Sequence, residues 1–313
     1  MTNASIHHPA SEKDLATVAA IRQQSAPFKG ALSSPDARPG YDAMIEATPM
    51  AARVTYEQAA VGGVPGVWCR PENGQSHAAL LYLHGGGYMV GSAFAYRHFA
   101  GQFAARTGCA AFVPDYRLAP ENPFPAAVHD AHAAYRGLVS AGATNISIVG
   151  DSAGGGLSLI TLSLAHADAG QGLGIAPKCC VVMSPWTDLA LTGASHDTKA
   201  EEEPYLTKPS LRIFAGAYLG QQDAKQPSAS PLYGQLSNLA PTQIHVGTSE
   251  VLLDDSVVYA AEAHRQGGNV SLHVWDRMLH VFPSSMGILD AADEAMALMT
   301  EYIKKNAATS ERA

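Results

Sequence analysis

Residues 150–154 read Gly150-Asp151-Ser152-Ala153-Gly154, a serine with a glycine two places before it and another two places after. An apolar run precedes them and a helical pattern follows. A strand that turns at once into a helix needs small residues at those two places, and the turn lifts the Oγ of Ser152 clear of the strand end. Ala153 then opens the helix, whose free N–H groups and positive end favour a developing anion. The chemistry this suits is nucleophilic attack by serine. A glycine-rich turn that merely packs helix on strand is the plainer alternative. A dinucleotide site fits worse, since neither this loop nor residues 85–91 has G-x-G-x-x-G spacing, and the Gly-Lys-Ser/Thr of a phosphate loop is absent.

A second constellation is His84-Gly85-Gly86-Gly87-Tyr88, after the apolar run Ala79–Leu83. Three consecutive glycines cost backbone entropy, so something must require a chain free of side chains. Acyl transfer supplies the reason, because the oxyanion of a tetrahedral intermediate needs N–H donors at close range. The expected donors are Gly85, Gly86 and Ala153, with Gly87 permitting the turn and His84 orienting the loop by hydrogen bonding. A nest for some other anion is the bland reading.

An activated serine needs an imidazole, and the imidazole needs a carboxylate. Catalytic groups in open parallel sheets gather beyond the C-terminal ends of the strands. His280 is the one histidine in a loop after the last expected strand, whereas His245 and His273 fall inside strands and His7 and His8 in a tail. The pair His129 and His132, with Asp130, reads as surface helix in preference to a metal site, and no metal or other cofactor is expected. For the carboxylate, Glu250, Asp254 and Asp255 compete after Thr242–Val246, and spacing alone does not separate them.

The elements that must position these groups alternate. Strands are expected near Arg53–Ala59, Val64–Arg70, Ala79–Leu83, Ala110–Pro114, Ile146–Gly150, Cys179–Ser184, Thr242–Val246 and Val270–Trp275. Helical patterns cover Phe94–Arg106, Ala126–Ser140, Ala153–Asp168, Ser256–Arg265 and Asp290–Lys305. Continuous apolar runs such as Leu80-Leu81-Tyr82-Leu83 suit parallel strands covered on both faces, so the fold class is α/β with an open, mostly parallel sheet. The Gly62-Gly63 turn predicts an antiparallel hairpin at one edge. Residues 1–50 and 186–230 break the rhythm, as lids and binding loops do.

Composition narrows the remaining classes. Of 313 residues, 28 are acidic and 20 basic, a net charge of −8 that gives no broad hold on nucleic acid. With 47% hydrophobic and 15% charged residues the chain is globular. No apolar run approaches the ~20 residues of a bilayer span. Residues 1–14 lack the pattern of a signal peptide, and the four cysteines do not form a disulfide framework. A soluble, cytoplasmic protein without membrane or nucleic-acid partners is expected.

Taken in order, the series His84–Gly87, Asp115-Tyr116-Arg117-Leu118-Ala119-Pro120-Glu121, Gly150–Gly154, Ser184-Pro185-Trp186-Thr187-Asp188, Ser230-Pro231-Leu232, Gly247–Asp255 and His280-Val281-Phe282 resembles the hormone-sensitive-lipase-like (bacterial family IV) esterases of the α/β-hydrolase superfamily. The resemblance implies a sheet of about eight strands with helices on both faces and a helical cap. It makes residues 1–50 and 186–230 the cap, and 51–185 with 231–313 the catalytic domain. It matches Ser152 to the nucleophile, His280 to the base and Asp254 to the acid, taken as lying four residues after an acidic position. Arg117 and Glu121 become a structural pair. Tyr88, Leu206, Phe214 and Tyr218 become pocket-lining residues, and Val270–Trp275 a homodimer edge. The implied activity is hydrolysis of carboxylic esters with short to medium acyl chains. The alternatives are a lactone, carbamate or amide substrate on the same triad, or a non-catalytic small-ligand receptor on the same fold. Small departures from the common pattern are Glu250-Val251 in place of Asp-Pro, and Val281 in place of glycine after the histidine.

Overall fold

The computed structural model describes residues 5–75 and 77–308; the first four residues of the N-terminal segment 1–14, expected to lack a signal peptide, lie outside them. The chain opens with a short strand β1 (Ile6–His8), helix α1 (Glu12–Ser25) and helix α2 (Arg38–Glu46). The antiparallel hairpin β2 (Val54–Val61) and β3 (Val64–Pro71) follows, turning at Gly62-Gly63 as expected. Then strand and helix alternate: β4 (Ala78–Leu83), α3 (Ala93–Thr107), β5 (Ala110–Pro114), α4 (Ala126–Ser140), β6 (Asn145–Asp151), α5 (Ser152–Gly170) and β7 (Cys180–Met183). An excursion carries α6 (Ser195–Thr198) and α7 (Lys208–Leu219). The chain closes with β8 (Thr242–Gly247), α8 (Leu253–Arg265), β9 (Val270–Trp275) and α9 (Asp290–Ala308).

The sheet has nine strands in the order β1-β9-β8-β7-β6-β4-β5-β3-β2. Every pair from β1 to β5 is parallel, and only the β2–β3–β5 edge is antiparallel. Strands β4, β6, β7 and β8 are buried along nearly their whole length. That is what a sheet covered on both faces demands of Leu80–Leu83 or Cys180–Met183. The strand β6 that ends at Asp151 lies in the middle of the sheet, so Ser152 starts its helix above the centre of the core.

The ninth strand was not legible in the sequence. Residues Ile6–His8 pair in parallel with His273–Trp275, and His8 stacks on Trp275 with ring centroids 3.8 Å apart. His7 and His8 therefore belong to the sheet and not to a tail. The edge strand on this side of the sheet is therefore β1, with β9 next to it.

The rest of the N-terminal segment packs over the catalytic end. Arg38 of α2 donates to the carbonyl oxygens of Met89 (2.9 Å) and Ala119 (3.0 Å), and forms a bidentate pair with Glu121 at 2.9 and 2.7 Å. Arg117 instead grips Asp130. The expected Arg117–Glu121 pair is thus two pairs, one of which ties the N-terminal segment to the core. No helix among the described residues is long and apolar enough to cross a membrane.

Candidate active site

Three side chains from three loops meet beyond the carboxyl ends of β6, β8 and β9. Ser152 sits at φ +53°, a left-handed conformation costly for a residue with a Cβ. The turn that holds it there is crowded: a Cβ at Gly154 would lie 2.1 Å from the carbonyl oxygen of Leu83, and one at Gly150 would lie 2.5 Å from that of Gly154. The small residues of the pentapeptide are therefore required by contact with β4 as well as by the turn itself. His280 stands opposite, its Nε2 2.9 Å from the Ser152 Oγ.

The carboxylate behind His280 is Glu250, not Asp254. Glu250 Oε2 lies 2.8 Å from His280 Nδ1. Its Oε1 accepts the N–H of Gly247 at 2.7 Å and the hydroxyl of Ser184 at 2.8 Å. Asp254 instead accepts the backbone N–H of Ser195. The physical reason is where α8 begins. The helix starts at Leu253 and not at Ser256, so Asp254 belongs to its first turn, while Glu250 remains in the loop leaving β8. Asp255 is buried and accepts the N–H groups of Thr187 and Asp188, both at 2.9 Å.

Burial alone would push the His280 imidazole below the usual histidine value of 6.5. The hydrogen bond and charge of Glu250, with the charges of Glu203 and Asp151, override burial and hold it above. His84 is fully buried with its value pushed down to about 4, so it is neutral. Its Nδ1–H donates to Gly85 O at 2.7 Å, and its ring stacks on Tyr116. His84 thus contacts the first residue of the glycine loop from within the core.

The loop itself differs from expectation at one residue. The N–H of Gly85 donates to Asp151 Oδ1 at 3.2 Å, so it points into the protein. Gly86 and Gly87 line the cavity with Ser152, and their N–H groups have no acceptor among the described residues. Ala153 presents the first-turn N–H of α5, which has no partner within the helix. Asp151 is the anchor of this arrangement. Tyr82 and Tyr96 donate to it at 2.8 and 3.1 Å, and Tyr96 in turn meets Tyr41 of α2 at 2.6 Å. Burial pushes the Asp151 carboxyl up to about 6 against the pull of these donors.

The cavity above Ser152 has a volume of about 300 Å³. Its walls come from α2, from the 186–230 excursion and from the loop after His280. Leu206 and Phe214 line it, as expected. Tyr88 and Tyr218 do not. They are fully buried and stack on each other at 3.9 Å. Leu211, Phe214 and Tyr218 share one face of α7, but the last lies a further turn along, beyond the cavity. His132 pairs with Asp168, and Asp130 with Arg117, so the two do not converge.

Sequence reasoning passed over three residues that shape this site. Ser184 bridges Glu250 and the N–H of Val281, at 2.8 and 3.0 Å; its signal was its place at the end of β7. Asp151 was visible as the variable residue of the pentapeptide. Glu203 ends a run of three acids, Glu201–Glu203, and is fully buried.

Comparison with known proteins gives the family of the chain. The model of the α/β-hydrolase fold family matches residues 80–284. An acetyl-hydrolase of Streptomyces hygroscopicus is 39% identical over 246 residues, 78% of this chain and 81% of the relative. The crystal structure of the esterase EstE5 superimposes with a TM-score of 0.87 at 38% identity, covering 96% of this chain and 100% of that one. An esterase of the bacterial hormone-sensitive lipase family gives a TM-score of 0.85 at 37% identity, covering 95% and 98%. The chain belongs to the α/β-hydrolase fold family, among the bacterial hormone-sensitive-lipase esterases, and is itself an esterase.

Proposed function

We propose that the protein hydrolyses small carboxylic esters of short to medium acyl chain through a Ser152–His280–Glu250 relay. The observation that carries the reading is the in-line pair of contacts, Ser152 Oγ to His280 Nε2 at 2.9 Å and His280 Nδ1 to Glu250 at 2.8 Å, opening on an apolar cavity. His280 takes the Ser152 proton as Oγ attacks the ester carbonyl. The oxyanion is received by the N–H groups of Gly86, Gly87 and Ala153. His280 then protonates the leaving alcohol, and afterwards activates the water that releases the acid. Glu250 stays ionised and holds the Nδ1–H tautomer. No step in this scheme calls for a metal or a cofactor.

The cavity walls favour a neutral substrate. Around Ser152 they are built from side chains such as Leu32, Met44, Leu206, Phe214, Phe282 and Leu289, and among the described residues the ionisable ones are Asp151, His280 and the tyrosines Tyr41, Tyr96 and Tyr205. The acetyl-hydrolase name of one relative accords with a small acyl group. Initial rates on p-nitrophenyl esters of increasing acyl length, with Ser152→Ala as control, test this reading. The expected result is a maximum among the short chains that vanishes in Ser152→Ala. No turnover of any ester by the folded wild type would overturn it and favour a lactone or amide substrate, or a receptor.

A further inference from the structure

The segment 202–206 of the excursion between β7 and β8 touches the chain on both sides of Glu250. The Glu202 carboxylate accepts the hydroxyl of Ser249 at 2.7 Å, one residue before Glu250. The Glu203 carboxylate accepts the N–H of Val251 at 3.3 Å, one residue after it. The other Glu203 oxygen accepts the N–H groups of Tyr205 at 2.8 Å and Leu206 at 3.3 Å, both residues of the cavity wall. Glu203 is fully buried, and each of its hydrogen-bond partners among the described residues is an N–H donor. A buried carboxyl surrounded by donors alone is suited to the ionised form, since a carboxylate only accepts. A second carboxylate therefore sits beside the Glu250–His280 pair, in a segment that also forms the substrate wall.

We propose that Glu203 is a positioning residue of the relay, which fixes the backbone beside Glu250 and directs a negative charge toward His280, so favouring the imidazolium that forms as Ser152 loses its proton. The proposal rests on the esterase reading above and deepens it. It gives the excursion two tasks, shaping the cavity and holding the acid in register, and one carboxylate joins them.

The charged groups acting on His280 among the described residues are Glu250 from the loop after β8, Glu203 from the excursion and Asp151 from the end of β6. Burial is the largest influence on the Glu203 carboxyl and holds it above the usual carboxylate value. The charge of His280 and the amide of Tyr205 pull it down, Glu250 pushes it up again, and the amide of Leu206 pulls it down. His280 must be neutral to accept the Ser152 proton, and its value is raised above 6.5. The rate is therefore lost as pH falls through that raised value. Removing the Glu203 charge weakens the preference for imidazolium, so the loss moves to lower pH.

The test is kcat and KM for p-nitrophenyl acetate between about pH 5 and 8, for wild type, Glu203→Gln and Glu203→Asp. In Glu203→Gln the amide oxygen can still serve Tyr205 and Leu206, while the amide nitrogen faces the Val251 N–H. The expected result is an acid limb displaced to lower pH, with kcat reduced roughly tenfold, the size of one lost contact in a coupled network, and KM little changed. Glu203→Asp keeps the charge but not the reach, so its acid limb stays at the wild-type position while kcat falls. An acid limb unmoved in Glu203→Gln overturns the proposal. Should that variant fail to fold, Glu203→Asp decides, and wild-type kcat there overturns it. A wild type without Ser152-dependent turnover overturns the esterase reading and this proposal together, whereas an active wild type with an unmoved limb in the variant overturns this one alone.

Discussion

Replacing Glu250 by glutamine is expected to lower kcat/KM on a short acyl ester by about three to four decades, while Asp254→Asn stays within a few-fold of wild type. The asymmetry follows from the partners of each carboxylate. Glu250 Oε1 receives two donors, the N–H of Gly247 and the hydroxyl of Ser184, so in Glu250→Gln the amide oxygen is held on that side. The amide nitrogen must then face His280 Nδ1, where Glu250 Oε2 now lies at 2.8 Å. An N–H donor there forces Nδ1 to accept, which moves the imidazole proton to Nε2. His280 would then point a hydrogen at Ser152 Oγ and could not take one from it. Asp254 has no such role. Its Oδ2 accepts the Ser195 N–H at 2.9 Å, a bond the amide oxygen of Asp254→Asn still accepts. Steady-state rates of the two variants, with circular dichroism to establish folding, separate the two carboxylates. Equal losses in both would contradict the assignment.

Gly86→Ala is expected to reduce kcat by about two to three decades, the usual cost of a lost oxyanion donor. Gly86 lies at φ +110°, which a residue with a Cβ rarely adopts. A Cβ built there would stand 2.1 Å from the carbonyl oxygen of Val90. That carbonyl belongs to the turn that Gly86 itself closes, its own oxygen accepting the N–H groups of Met89 at 3.0 Å and Val90 at 2.9 Å. To admit a methyl group the turn must open, and the N–H groups of Gly86 and Gly87 move with it. The anchor beneath, Gly85 on Asp151, is untouched, so the loop is displaced and not unfolded. A melting curve separates this from global destabilisation. Wild-type kcat in a folded Gly86→Ala protein would remove Gly86 and Gly87 from the oxyanion role.

What could be read from the chain alone divides along physical lines. Local signals were sufficient where one element decides the outcome. The Gly62-Gly63 hairpin, the apolar strands from Ala78 to Trp275, and Ser152 between a strand and a helix all follow from residue type and short spacing. His280 was legible because it is the only histidine in the last of those loops. The errors concern relations between distant segments. Strand β1 is only three residues long and has no hydrophobic alternation; it exists because His8 finds Trp275 and His273 across the sheet. Asp254 follows from the family resemblance, since spacing alone leaves Glu250, Asp254 and Asp255 open; what separates them is a helix that starts at Leu253, three residues earlier than its pattern suggests, which leaves Glu250 in the loop. Which glycine N–H faces the cavity depended on Asp151 capturing the first of them, a contact between residues 66 positions apart. The place of Glu203 beside the site has no local signal, because the Val251 N–H it accepts lies 48 positions along the chain.

The central claim is that Ser152 is the group that bonds covalently to the acyl carbon. The most direct measurement is peptide mass spectrometry after treatment with a p-nitrophenyl phosphonate ester, which mimics the tetrahedral intermediate and stays attached to the nucleophile. A single adduct is expected on the peptide carrying Ser152, with release of p-nitrophenol in equal amount, and no adduct in Ser152→Ala. A stoichiometric adduct on any other residue, or an undiminished one in Ser152→Ala, would contradict it.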